Sequence, residues 1–383
     1  VRHSSMDTDV FRQTAHSPSY FELSRKLGEG ARELVDFCIP CNPYFPSQEM
    51  FQFLGRNLES VLKFYPSDAG AIAGQLSSVL GLNPATVAMS NGSTELITWI
   101  DHLWVHDSIA VPIPTFGRWT DQFLETGKRV DMFLLPESDG FELDLDAYVK
   151  FIRSRGSRVA VLCNPNNPDG GYLPRREVVR FLDELSDLDL VIVDESFIDF
   201  VEVERNPSVA SEAAIRSNVV VLKSLGKNFG LHGIRFGYMV ANPGLARKMA
   251  SSLPKWNLNS LAEAVVFMFK EHLDEYAESL VKLSMDRYRM GIELGRIPEL
   301  DVFSSQANFI LVKLSGEVTG AEMRDYLLLK HQVFVRECSN KLGLSGQFLR
   351  LVVRPEADVE RLVTGMKAFS QQRWDVERPT LVS

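Results

Sequence analysis

Three short apolar runs, spaced about 30 residues apart, constrain this chain more than any other feature. Residues 159–163 lead into Asn164-Pro165-Asn166-Asn167-Pro168-Asp169-Gly170, residues 190–193 into Asp194-Glu195, and residues 219–222 into Ser224-Leu225-Gly226-Lys227. Helical patterns over residues 175–185 and 209–215 separate them. Such spacing suits βαβ units with right-handed crossovers, and hence a parallel sheet. Ligands of open α/β sheets bind beyond the carboxyl ends of the strands. Asn167, Asp194 and Lys227 all fall at or just past such ends, which allows them to converge on one crevice.

The rest of the chain bounds the fold. Its 383 residues suffice for a large domain and a smaller one. Residues 20–27 predict a short helix, residues 34–39 a strand, and residues 48–62 a helix capped by Ser47. An amphipathic pattern over residues 261–294 predicts helices. Strands over residues 302–314, 334–336 and 348–353, then a helix over residues 359–371, predict a smaller α+β domain. Residues 1 to about 20 read as irregular.

Composition narrows the function classes. A net charge of −9 disfavours nucleic acid as partner. No apolar run approaches the roughly 18 residues of a membrane span, so no membrane partner is expected. Four cysteines in this length fit a reducing compartment, and a cytoplasmic location is expected. Cys38-Ile39-Pro40-Cys41 lacks a second pair for zinc, and His102 and His106 lie in a stretch that reads as helix packing. No metal site is expected.

Chemistry concentrates on Lys227. A lysine in a walled pocket can lose its proton and form a Schiff base with a carbonyl. Arg235, eight residues on, suits a phosphate. Together they suggest a lysine holding pyridoxal 5'-phosphate; the alternative is a turn lysine and a salt-bridged arginine. Asp194 suits a protonated pyridine nitrogen, or a strand-end cap. Asn167 suits the ring's phenolic oxygen, or plain turn chemistry. Phe116 suits a ring stack, or core packing. The turn Ser90-Asn91-Gly92-Ser93-Thr94 suits a phosphate at a helix start, with Ser224 and Arg235 completing the cradle, or an ordinary cap.

The order and spacing of these residues resemble the class I/II aminotransferases of the aspartate-aminotransferase fold. The sequence looks most similar to the branch of histidinol-phosphate aminotransferase and threonine-phosphate decarboxylase. Matching motifs include Tyr65-Pro66, Asn91-Gly92-Ser93-Thr94-Glu95, Asn164-Pro165-Asn166-Asn167-Pro168, Asp194-Glu195, the Lys227 segment, Ala307-Asn308-Phe309 and Val335-Arg336. The resemblance implies the α/β fold type I of pyridoxal-phosphate enzymes, with a large, mostly parallel sheet of the seven-stranded type and a smaller α+β domain. Residues 1–47 would join the small domain, residues 48–270 form the large cofactor-binding domain, and residues 271–383 the small one.

The resemblance also implies roles. Lys227 is the Schiff-base lysine and proton shuttle, and Asp194 pairs with the pyridine nitrogen. Asn167 contacts the phenolic oxygen, and Phe116 stacks on the ring. Gly92, Ser93, Thr94, Ser224 and Arg235 hold the phosphate. Tyr65 reaches the phosphate of the other subunit, implying a homodimer with shared active sites. Arg350 grips the substrate carboxylate, Asn42 lies where the family closes over substrate, and Arg336 and Arg354 offer further anion contacts.

Two positions depart from the pattern. Phe197 stands where the family's aminotransferases place a tyrosine that donates to the phenolic oxygen, and Asp169 replaces a threonine. Transamination of an amino acid or a phosphorylated or phosphonate amine, with a small-molecule amino donor and acceptor, is the preferred expectation, because it is the commonest activity of the fold. Decarboxylation, or another lyase-type reaction, is the alternative that Phe197 and the late arginines favour. A non-catalytic module is opposed by the intact Lys227, Asp194 and Arg235.

Overall fold

Strands that are apolar on both faces must be covered on both faces, and helices returning between parallel strands do this. The computed structural model, which describes residues 18–28 and 34–377, is built this way. Residues 1–17, read above as irregular, lie outside the described residues. Seven strands form the large sheet: β1 (Val87–Ser90), β2 (Ser108–Ile113), β3 (Arg129–Leu134), β4 (Val159–Cys163), β5 (Leu190–Asp194), β6 (Val219–Ser224) and β7 (Gly237–Val240). Their spatial order is β1-β7-β6-β5-β4-β2-β3. All neighbours run parallel except β7, which is antiparallel to both β1 and β6.

Side chains alternate between the two covered faces with the strand period of two. Ala160, Leu162, Val191, Val193, Val219 and Val221 enter one core, with Tyr148, Phe181 and Phe229. Val159, Val161, Leu190, Ile192, Val220 and Leu222 enter the other, with Trp119 and Phe123. The parallel register sets Cys163 beside Asp194, and Asp194 beside Leu222. The polar residues that follow these strands therefore leave the sheet at one edge.

The chain divides into two compact units. The larger comprises residues 41–284 with 305–308 and holds the sheet just described. The smaller comprises the described residues up to Pro40, residues 285–304 and those from Phe309 onward. Within it, Leu300–Val302, Phe309–Leu314, Phe348–Val352 and Arg336–Glu337 form an antiparallel sheet, and Val35–Asp36 pairs parallel with Val333–Phe334. None of the described helices is long and apolar enough to cross a membrane.

Some elements are shorter or more broken than their sequence patterns. The helix expected over residues 48–62 is two, Gln48–Arg56 and Leu58–Lys63. At the break, the Asn57 side chain donates to Phe53 O at 2.8 Å, so it competes with the helical ladder. Ser47 does cap the first helix, accepting from Met50 N. The run expected over residues 302–314 is two antiparallel strands joined by a turn, with Val302 facing Val312. The run at residues 334–336 changes partner at Val335, because Phe334 pairs with Asp36 and Arg336 with Arg350.

Asp131 on β3 shows how the large unit tolerates a buried charge. Its carboxylate accepts from Ser157 Oγ at 2.7 Å, Arg155 Nε at 3.1 Å and Arg129 Nε at 3.2 Å. Burial pushes its pKa up, but these hydrogen bonds together outweigh burial and hold it below the ordinary value. A carboxyl lowered by folding adds stability above its unfolded pKa, about 4, and loses it as pH falls through the folded value. Asp131→Asn should cost about 1–3 kcal/mol at pH 7 and flatten the stability loss below about pH 4, as measured by urea unfolding at both pH values.

Candidate active site

At the carboxyl edge of the large sheet, one pocket is lined by Phe116, Cys163, Pro165, Asn167, Asp194, Ser196, Phe197 and Lys227. Four residues singled out from sequence thus meet: Phe116, Asn167, Asp194 and Lys227. Lys227 sits in the helical turn Leu225–Asn228 that follows β6 directly. Its Nζ lies 5.3 Å from the centre of the Phe197 ring, where a tyrosine's hydroxyl is lacking. Side-chain bonds lace the turns after β2 and β4 together, since Asn166 donates to Pro114 O at 2.9 Å and accepts from Thr115 Oγ1 at 2.8 Å. This brings Phe116 and Asn167 to the same pocket. Asp169 closes its own turn, accepting from Asn166 Nδ2 at 2.6 Å and from Gly171 N at 2.8 Å.

Asp194 is buried and held on both oxygens. Oδ1 accepts from Ser196 N at 3.0 Å and Ser196 Oγ at 2.6 Å, and Oδ2 accepts from Trp119 Nε1 at 2.8 Å. The sequence reading missed Trp119. A signal was present: a buried indole N–H needs an acceptor, and Trp119 follows Phe116 by one helical turn in the same segment.

A second cluster forms beside β1. Gly237 on β7 is flanked in register by Ser90 on one side and Ser224 on the other. Gly237 also lets the start of the next helix come close, for a Cβ there would stand 3.0 Å from Ser93 N and 2.8 Å from Lys223 O. That helix, Ser93–Trp104, begins at Gly92 with no side-chain cap on its first N–H groups. The Arg235 guanidinium lies over Gly92, with Nη2 2.7 Å from where a Cβ would be. Uncapped N–H groups, Ser93, Thr94, Ser224 and an arginine make an anion cradle.

The remaining predicted residues do not line the Lys227 pocket. The Asn42 amide is buried, donating to Asn228 O at 3.0 Å and Ser279 Oγ at 2.8 Å and accepting from Tyr44 N at 3.0 Å. Tyr65 is 83% exposed, its ring 5.3 Å from that of Trp256. In the smaller unit, Arg336 and Arg350 are cross-strand partners. Arg350 is buried, its Nη2 donating to Cys38 O at 2.8 Å and its guanidinium 5.2 Å from the Phe309 ring centre. Burial lowers its pKa. Arg336 donates to Asn340 Oδ1 at 2.8 Å, and Arg354 is ion-paired with Asp358 at 2.8 Å. Cys38, Cys41, Cys163 and Cys338 form no disulfide among the described residues. His102 and His106 are both exposed. Glu49, His272 and Glu275 bring ligating atoms within 4.8 Å of one another, and a His272 Nδ1–Glu275 Oε2 hydrogen bond of 2.7 Å joins two of them.

A family model described as aminotransferase class I and II matches residues 60–366. The chain belongs to this family. An L-serine phosphate decarboxylase of Campylobacter jejuni is 31% identical over 352 residues, 89% of each protein. A histidinol-phosphate aminotransferase of Ruminiclostridium cellulolyticum is 30% identical over 261 residues, 67% of this chain and 71% of that protein. The solved structure of a decarboxylase from Sulfurospirillum multivorans aligns with a TM-score of 0.78 at 27% identity, over 88% of this chain and 94% of that one. The chain thus lies near the family branch of histidinol-phosphate aminotransferases and phospho-amino-acid decarboxylases. Its fold is fold type I of pyridoxal-phosphate enzymes, as the resemblance implied.

The family's lysine turn depends on a close backbone approach. Gly230 has φ +65°, and a Cβ there would stand 2.3 Å from Phe45 O and 2.5 Å from Asn42 O. Gly230→Ala should destabilise the protein by more than about 1 kcal/mol, read as a lower urea midpoint with an unchanged slope.

Proposed function

We propose that this chain is a pyridoxal-phosphate-dependent enzyme that removes the carboxyl group of a small phosphorylated amino acid as carbon dioxide. The observation that carries the cofactor is the single pocket lined by Lys227, Asp194, Asn167 and Phe116. The neighbouring cradle fits its phosphate: a Cβ on Gly92 would occupy the space against Arg235. When bound, pyridoxal phosphate supplies an aldehyde for an amine and a ring that accepts electrons from the substrate's α-carbon.

The chain's own residues divide the remaining work. Lys227 offers the amine for covalent attachment and, once released from it, a base and acid beside the reacting carbon. Asp194 would face the ring nitrogen, aimed by Trp119 and Ser196. Asn167 would donate to the ring oxygen, and Phe116 would cover a ring face. Phe197 has no hydroxyl to give, so that oxygen has one fewer donor than in the tyrosine-bearing pattern. Arg350, seated by Cys38 O and Phe309, would take the carboxylate, and its cross-strand partner Arg336 would add a second cation for a phosphate or phosphonate. Arg354 is a weaker candidate because Asp358 already neutralises it.

Decarboxylation takes precedence over the transamination expected from the commonness of that activity. Phe197 and the likeness to an L-serine phosphate decarboxylase across 89% of the chain support this order. Transamination of a phosphorylated amine is the second reading, supported by the 30% identity to a histidinol-phosphate aminotransferase. The exposed Tyr65, Phe64 and Leu62, at 83%, 70% and 69%, support a homodimer in which Tyr65 serves the partner's phosphate. The sparse cysteines, four in 383 residues, support a cytoplasmic location.

Borohydride should trap the cofactor on Lys227 in the wild type and not in Lys227→Ala, as read by peptide mass. With serine phosphate and related phosphorylated amino acids, carbon dioxide should appear in step with a phosphorylated amine. A keto product with accumulation of the aminated cofactor would replace the first reading with the second.

A further inference from the structure

Beside Lys227 the large unit holds a group of ionisable residues to which the roles above give no part. Lys223, on β6, places Nζ 3.5 Å from Glu195 Oε2 and 3.8 Å from Asp199 Oδ1. Its register partner on β7 is Tyr238. Burial pushes the Lys223 pKa down, but Tyr238, Asp199 and Glu195 more than offset this, and it stays above the ordinary value. Burial raises Glu195 and lifts Tyr238 to about 12. Lys223 is therefore a cation.

Asp199 connects this cation to the lysine turn. Its Oδ2 accepts from Asn228 Nδ2 at 2.5 Å and from Tyr276 OH at 3.0 Å. Asn228 Nδ2 also donates to Tyr276 OH at 2.9 Å. Asn228 Oδ1 is buried without a hydrogen-bond partner among the described residues, so these two contacts alone orient the amide. Asn228 directly follows Lys227. Asn42 holds the same two residues by their backbone, its N–H donating to Lys227 O at 3.1 Å and its Nδ2 to Asn228 O at 3.0 Å. The turn Leu225–Asn228 is only four residues long, and its own helical hydrogen bonds are few, such as Phe229 N to Leu225 O at 3.0 Å. Outside contacts to Asn228 and Lys227 therefore add to its positioning.

We infer that Asp199, ion-paired with Lys223, is a positioning residue for Lys227: it anchors Asn228 and so fixes where the turn presents the reactive amine. Asn42 completes the anchor from the backbone side. The inference rests on the reading of Lys227 as the covalent attachment site.

Asp199→Ala and Tyr276→Phe test it in the full-length protein, with pyridoxal phosphate as probe. In Asp199→Ala, borohydride trapping on Lys227 should slow about tenfold or more, and kcat should fall about 10- to 100-fold with KM within about threefold. Tyr276→Phe keeps the carboxylate, and a loss of about two- to fivefold in both rates is expected. The inference is overturned if Asp199→Ala melts cooperatively yet keeps trapping and kcat within about twofold of wild type, or if only KM rises. Should Asp199→Ala not fold, unchanged trapping and kcat in Tyr276→Phe overturn it. Absence of trapping in the wild type would instead remove the underlying reading of Lys227.

Discussion

The hydrogen-bonded register of β4, β5 and β6 is the constraint on which the site depends. Pairing of Cys163 with Asp194 sets two strand ends level, and pairing of Asp194 with Leu222 lets β6 run two residues further at the same edge, to Ser224. A one-residue slip in any pair would turn an apolar row out of its core and carry Asp194 or Lys227 to the wrong face. The cores on the two faces oppose such slips at every second residue. Site geometry is therefore inherited from packing far below it: Asp194 points where it does because Val191 and Val193 on one face, and Leu190 and Ile192 on the other, are fully engaged.

Above the sheet, precision comes from small residues and short polar contacts. Gly237 lets the helix at Ser93 approach β7, and Gly92 leaves room for the Arg235 guanidinium. Neither glycine does chemistry. Each removes one carbon atom that would separate an anion from its donors. Arg235 itself has φ +59°, a conformation that side chains other than glycine rarely adopt, held between the Gly233 turn and β7. A strained backbone here is consistent with a residue placed for what its side chain reaches.

The readable part of the sequence was the part where one residue has one environment. Apolar runs of four or five residues followed closely by Asn, Asp or Lys place strands and their ends almost without reference to the rest of the fold. Lys227, Asp194, Asn167 and Phe116 could be named on that basis and do share a pocket. Contacts between distant segments were not readable. Trp119 donates to Asp194 across 75 positions; its spacing after Phe116 hints at the pocket, but its own segment cannot name the distant acceptor. Strand β7 was missed because it has four residues, follows a glycine-rich turn, and runs against the parallel pattern of its neighbours. The break at Asn57 was hidden because the apolar spacing continues through it while the side chain bonds back to Phe53.

Selecting one bond at the α-carbon requires the carboxylate to be held at a set angle, and that demands a rigid cation rather than a strong one. On the proposed reading Arg350 would meet the demand through its seating. The Phe309 ring supports its plane, Cys38 O takes one N–H, and burial excludes the water that would weaken its hold on an anion. Arg336, tethered to Asn340 and less buried, is the more adaptable of the pair. On the proposed reading, a net charge of −9 is no obstacle to a substrate with two anionic groups, because oriented guanidinium groups at close range outweigh the overall sign. On that reading an unphosphorylated serine would engage only one of the two cations and a phosphorylated serine both, so the arginine pair supports the proposed phosphorylated substrate class.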